Sequence, residues 1–314
     1  MQPASLPPQP AQSMGQPGPG AGQAAETEGV IEPEADAALR RMSAHLGGLQ
    51  SFRVAMTTTD EHVTKEGQKI QFVKETEVAV RRPDKMLAER YGPKGHVIFR
   101  YDGAKVSVHS PELGVYAIES APADLKSMID FAHDRLHIEA PAGDLLMPDT
   151  YNELIEGLQV GRYIGRERID GVLAHHLAIS EKEIDWQIWI KDGPDAVPLR
   201  FVITTKSMRE QPQFTAELRN WRPNVALGDE QFAFTPPANA KRMTFDELQK
   251  MKQAMKREVT GARNMRSKRR KTGWLLLAVF ELLAFAELKL DAGVFVSPAH
   301  AVIGRPLTPV SYAG

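Results

Sequence analysis

Apolar and polar positions alternate most cleanly from Ile184 to Thr205, in the run IDWQIWIKDGPDAVPLRFVITT. Ile184, Trp186, Ile188 and Ile190 share one parity, and Asp185, Gln187 and Lys191 share the other. Side chains alternate faces along a strand, so this pattern predicts a half-buried strand with an apolar inner face. Trp189 interrupts the polar face and reads as a rim aromatic. Residues 191–195, KDGPD, carry turn chemistry, with Gly193 free to take a positive φ and Pro194 fixing its own. Leu199, Phe201 and Ile203 then alternate on the return, which makes the unit a long hairpin.

The same reading extends over the rest of the chain. Pro33 and the acids Glu34 and Asp36 open a helix with an apolar stripe of Ala35, Ala38, Leu39, Met42 and Leu46, stopped by Gly47 and Gly48. Strand patterns follow over 51–61, 69–80, 85–91, 96–101, 105–109 and 114–118, split by Gly, Pro and Asp turns. Helical spacing returns over 122–133 and 149–157. Strands resume over 159–169, 172–180, the central hairpin, 213–221 and 231–234, with Asp170 and Gly171 as a tight turn. This layout predicts an α+β chain that is mainly antiparallel β. A sheet this large with so few helices is expected to curl into an unclosed, curved β-barrel with an α-helical lid over its concave face, a place suited to apolar ligands.

Composition changes the picture mainly at the two ends. The chain has 314 residues, a net charge of −1 and no cysteine. The last point excludes a disulfide framework, a cysteine nucleophile, a thiolate metal site and a lipid-modified N-terminal cysteine. Residues 1–32 are rich in Pro, Gln, Gly and Ala and are expected to be a disordered linker, without the features of a secretory signal. The β domain is assigned to 33–247, followed by a basic helix or linker over 248–272 and a signal-like or membrane segment with its tail over 273–314. In that last part Arg263, Arg266, Lys268, Arg269, Arg270 and Lys271 precede an apolar run from Trp274 to Ala286, and Ala299-His-Ala301 resembles a signal cleavage site. Glu281 in the run costs about 2.5–3.5 kcal/mol in a membrane span. A fusion of a second protein's export signal to the β domain is favoured, the β domain's own signal being missing upstream. The alternatives are an inner-membrane contact through the run and, least favoured, a nucleic-acid patch.

Candidate chemistry is sparse. His133 and His137 have the spacing of a zinc-binding helix, but no third ligand is evident, and solvated helix-end residues are the plainer reading. His175 and His176 are neighbours on a strand and point to opposite faces, one outward and the other a satisfied inner polar group. No nucleophile elbow, phosphate loop or dinucleotide fingerprint is present, so no catalytic residue, metal or cofactor is assigned. The ligand contacts expected from the hairpin are Trp186, Ile188, Ile190, Leu199, Phe201 and Ile203, for each of which ordinary core packing is the competing role.

Several runs carry a resemblance: VGRYIG at 160–165, IDGVLAHHL at 169–177, DWQIWI at 185–190, PLRFVIT at 198–204, PQFTA at 212–216 and FAFTPP at 232–237. Together with Asp130-Phe-Ala, Leu136 and Asp144-Leu-Leu, they resemble a family of predicted periplasmic proteins similar to the LolA/LolB lipoprotein-carrier superfamily, over about residues 33–245. The resemblance implies an unclosed barrel with a helical lid whose apolar hollow takes acyl chains of lipid or lipoprotein, with no enzymatic activity. The soluble-carrier form fits better than the anchored one, because the lipid-modified cysteine is lacking. The expected protein is thus a periplasmic binding protein with an acyl-chain partner and no nucleic-acid partner. A hydrolase or metal-dependent enzyme using His133, His137 or His175 is the alternative from a different class, and a structural module with a filled core is the third. Intact-mass analysis of the cellular protein is expected to find the last 50 residues or so separate from the β domain; a full-length species held in the membrane would instead identify an anchor.

Overall fold

A computed structural model describes residues 29–250, apart from 94, 139–144, 146 and 148, together with the backbone of 295–298. The chain runs β1 (Val30–Ile31), α1 (Pro33–Gly48), β2 (Ser51–Thr64), β3 (Lys69–Arg81), β4 (Lys85–Gly92), β5 (Gly95–Tyr101), β6 (Lys105–Ser110) and β7 (Val115–Ser120). Two helices follow, α2 (Leu125–Asp134) and α3 (Thr150–Ile155). The second run of strands is β8 (Val160–Ile169), β9 (Val172–Ser180), β10 (Ile184–Lys191), β11 (Pro198–Thr205) and β12 (Gln213–Pro223), with the short β13 (Lys241–Arg242) and β14 (Phe295–Pro298) completing the order.

All the strands belong to one sheet, in the order β1-β8-β9-β10-β11-β12-β2-β3-β4-β5-β6-β7-β13, with β14 beside β2. The two meanders meet where β12 pairs with β2, Leu218 opposite Met56. The end strands β1 and β13 do not pair with each other, so the sheet curves without closing. Both run parallel to their neighbours β8 and β7, whereas the long strands are antiparallel. The expected turns are present: Asp170 and Gly171 have φ of 50° and 81°, and Gly193 has φ of 118°.

A single apolar core lies inside the curve. Ala35, Ala38, Leu39, Met42 and Leu46 of α1 are buried there, which is the stripe the helical period predicts. Around them pack Leu125, Met128 and Ala132 of α2, Leu154 of α3, and inward side chains from both meanders, including Val54, Val78, Leu177, Trp186, Ile188, Phe201, Phe214 and Leu218. Pro33 at the first helical turn and the acids Glu34 and Asp36 give α1 its N-terminal signature. α2 is capped by the Asp124 carboxylate, which accepts from the Ser127 amide at 2.9 Å.

Several expectations need correction. Residues 231–234 are not a strand: a 3-10 turn at Asp229–Gln231 leads the chain across the outer face of the sheet. There Phe232 packs with Leu227 on Ala79, Leu87 and Ile98, and Phe234 lies against His109 and Tyr116. Pro236 and Pro237 follow at once and offer no amide for a ladder, so the aromatic alternation reflects packing onto the sheet from outside. Trp189 is not a rim residue. It is 7% exposed, stacks on His176 at 4.1 Å, donates from Nε1 to Glu167 Oε1 at 2.6 Å, and forms an outer cluster with Ala174 and Val202. The parallel strands β1 and β13 were not foreseen, being two residues each. Residues 1–28, 139–144 and 251–294, which include most of the segment expected as a linker and the basic and apolar runs, lie outside the described residues.

Ile188 is fully buried in the core. Replacing it by alanine is expected to destabilise the fold by about 2–5 kcal/mol, read as a lower urea midpoint at unchanged slope. A loss under about 1 kcal/mol would show that this part of the core collapses readily around a void.

Candidate functional site

The concave face is the candidate site, and its register arranges it in rows that cross the strands. One row runs Val54, Val78, Ala88, Phe99, Val108 and Ala117 through β2, β3, β4, β5, β6 and β7. The next row toward the α2 side carries Phe52, Val80, Met86, Tyr101 and Val106. The row on the other side carries Leu218, Met56, Thr76, Arg90 and Val97. Cross-strand neighbours lie about 5 Å apart, so each row is a continuous surface.

The two halves of this face differ. Under β10 and β11 it is filled: Trp186, Ile188, Ile190, Phe201 and Ile203 are each 0–1% exposed, so no water-sized void touches them. These five of the six expected contacts lie together on the inner face, Ile188 opposite Phe201 and Trp186 opposite Ile203. Leu199 departs from the expected alternation. The register shifts beside it, Trp189 facing Arg200 and Ile190 facing Pro198, so Leu199 is the extra residue of a bulge. It is only partly buried and touches both the inner core and the outer cluster. Across β2, β4, β5 and β6 the face is more open. Met56, Met86, Ala88, Phe99 and Val108 are only partly buried, as are Ile129 and Phe131 of α2, which pack on the same core. Sequence reading passed over these positions because Leu87 and Ile98, on the opposite parity, are also buried beneath the segment carrying Phe232. With apolar residues on both faces, alternation gives no preference for either.

Beyond this apolar patch the concave face becomes polar. Lys74 pairs with the Asp60 carboxylate, which is 1% exposed as a residue, and Thr58 stands directly opposite Lys74. Arg90 is exposed to solvent, with protein crowded near its guanidinium. That desolvation lowers its pKa, and the nearby Asp60 charge opposes the shift.

The histidines resolve into structural roles. His175 faces inward, 7% exposed, with its Nδ1 3.0 Å from the Tyr163 hydroxyl and its Nε2 3.0 Å from Asp192 Oδ1. His176 faces outward against Trp189, with Nε2 3.0 Å from Gln187 Oε1 and Nδ1 2.7 Å from Glu167 Oε1. α2 ends at Asp134, and His137 sits beyond it at a φ of 53°, so His133 and His137 do not share a helical turn. Among the described residues no group of three or more His, Cys, Asp or Glu side chains is placed to hold a metal ion. Two open depressions lie elsewhere. One of about 410 Å³ on the outer face is lined by Arg53, Glu77, Glu89 and Arg100, and one of about 580 Å³ is lined by Glu119, Arg135, Arg242 and Phe245.

An unclosed, mainly antiparallel sheet curved around a helix, with an apolar concave face, defines the fold class. The chain belongs to the family described as "Predicted periplasmic protein (DUF2092)", whose model matches residues 35–246. A comparison with curated proteins returns no match. Among solved structures, the chain is similar to the lipoprotein LppX of Mycobacterium tuberculosis at 18% identity and a TM-score of 0.40, covering 63% of this chain and 100% of that one. It is similar to LprF of Mycobacterium bovis at 17% identity and a TM-score of 0.39, covering 68% and 100% of the two chains. A third similarity is to a putative outer membrane lipoprotein-sorting protein domain of Vibrio parahaemolyticus, at 10% identity and a TM-score of 0.30, covering 63% and 96%. Among the described residues no helix is long and apolar enough to cross a membrane, and the run from Trp274 to Ala286 lies outside them.

Tyr101 ties the floor to the roof. Its hydroxyl donates to the carbonyl of Pro122, just before α2. Burial, with Asp84, Asp124 and Asp102 adding to it, raises its pKa from 10.0 to about 12. The folded value lies above the unfolded one, so the neutral phenol's contribution is whole below pH 10.0 and is lost as pH rises toward about 12. Urea midpoints are therefore expected to fall more steeply across that range in the wild type than in Tyr101→Phe. Parallel curves would show that the phenol is not the group titrating.

Proposed function

We propose that this chain is a non-enzymatic protein of the periplasm that binds an apolar ligand, the acyl chain of a lipid or lipoprotein, on the concave face of its sheet. The observation that carries the reading is the partly open apolar surface of Met56, Met86, Ala88, Phe99 and Val108, with Ile129 and Phe131 of α2 partly buried against the same core. Apolar surface left accessible in a concavity is stabilised by an apolar occupant, at roughly 25 cal/mol per Å² covered. Trp186, Ile188, Ile190, Phe201 and Ile203 belong to the filled part of the same concave face, so a chain contacts them only if that part of the core opens; Leu199 stands at its margin. The description of the family as periplasmic supports the compartment.

A second reading, a structural envelope module without ligand, is favoured by one observation: the near-zero exposure of the β10 and β11 side chains, which leaves no empty space beneath them. Native mass spectrometry of gently purified protein separates the two. The carrier reading expects added mass matching acyl-chain species, lost in Phe99→Asp while that variant keeps its circular dichroism spectrum. A bare polypeptide that also takes up no added fatty acid would support the structural module.

A further inference from the structure

Arg90 has an unusual situation. It lies on the concave parity of β4, opposite Thr76 on β3 and Val97 on β5. It makes no hydrogen bond or ion pair with any described residue. The opposite charge that reaches it is Asp60, which is already engaged by Lys74. A guanidinium presents a rigid fork of five donors matched to carboxylate or phosphate oxygens, and that of Arg90 is exposed on the concave side with its donors unused by any described residue. Lys74 stands diagonally across from it, since Lys74 lies two residues from Thr76 on the same face. Counting Arg90 and Lys74 against Asp60, this end of the concave face carries one positive charge more than it neutralises.

The apolar row begins one step away. Ala88 lies two residues before Arg90 on the same face of β4, about 7 Å along the strand, and is paired with Phe99, which is paired with Val108. An occupant that satisfies both surfaces has an anionic group at one end and a hydrocarbon chain at the other. We infer that Arg90, assisted by Lys74, receives the anionic headgroup of a lipid whose acyl chain lies over Ala88, Phe99 and Val108. This inference rests on the ligand-binding reading above and adds the polarity of the ligand and its direction in the hollow.

The test uses the full chain and a neutral apolar reporter, N-phenyl-1-naphthylamine, displaced at pH 7 by laurate, dodecyl phosphate or dodecanol, with inorganic phosphate as a further competitor. Laurate and dodecyl phosphate are expected to displace the reporter at concentrations about tenfold or more below that of dodecanol, the range a charge-assisted pair supplies. In Arg90→Gln the three are expected to become equivalent within about twofold, while the affinity for the reporter itself stays unchanged. Equal potency of the three in the wild type, or a preference for the anions that survives in Arg90→Gln, would overturn this inference and leave the binding of apolar ligands standing. Inorganic phosphate blocking laurate at laurate's own concentration would assign Arg90 to a soluble anion and overturn it as well. Failure of the reporter and of every amphiphile to bind would overturn both readings.

Discussion

The structure depends on how a sheet that does not close keeps water from its inner face. A closed barrel buries its interior with its own side chains, but this one leaves β1 and β13 apart. α1 supplies the missing interior. Its stripe of Ala35, Ala38, Leu39, Met42 and Leu46 enters the curve, and the small Ala35 and Ala38 allow a close approach where larger residues would hold the helix off. The helix meets the second meander at β8 and β10, and the core is a single cluster spanning both meanders.

The contacts that hold the helices to one another differ in kind from those that hold them to the sheet. α3 meets α1 through Tyr151, whose hydroxyl lies between Asp36 and Arg40 and whose amide donates to Ser43 Oγ at 2.9 Å. α2 meets α3 through Lys126 and Glu153 at 2.7 Å. The charged partners among them are exposed, the Arg40 side chain at 60% and that of Lys126 at 52%, while Ser43 is buried. Exposed ion pairs contribute about 0–1 kcal/mol each, far less than the apolar burial beneath. The roof is therefore latched weakly at its top and packed firmly at its base, so local opening is easier at the outer links than in the core.

Much of this was legible in the residues. The alternation of β10 placed Ile184, Trp186, Ile188 and Ile190 on the inner face, and all four are buried there. The stripe of α1 is the stripe that packs. The split of His175 and His176 between two faces follows from strand geometry alone. What failed did so where a neighbour outside the local pattern intervened. Trp189 looked like a rim residue until His176 and Arg200 from the adjacent strands and Glu167 from the strand beyond enclosed it. Phe232 and Phe234 looked like a strand because an aromatic laid across a sheet alternates as one within it does. Leu199 followed its parity in sequence and lost it to a bulge, which is a property of two strands together.

The sequence alone determined which residues could be strands, which face of each was apolar, and that a few helices must cover a large sheet, because those properties rest on local periodicity. Only the tertiary structure decided which part of the inner face stays partly open. Ile188 and Phe99 both lie on the concave face, yet the first is sealed and the second is not. Nor could the residues reveal that Arg90 has no hydrogen-bond or ion-pair partner among the described residues, Asp60 being already held by Lys74 from the neighbouring strand. Burial and pairing depend on what the folded chain brings opposite each side chain, and that information lies in distances across the sheet, many residues away in sequence.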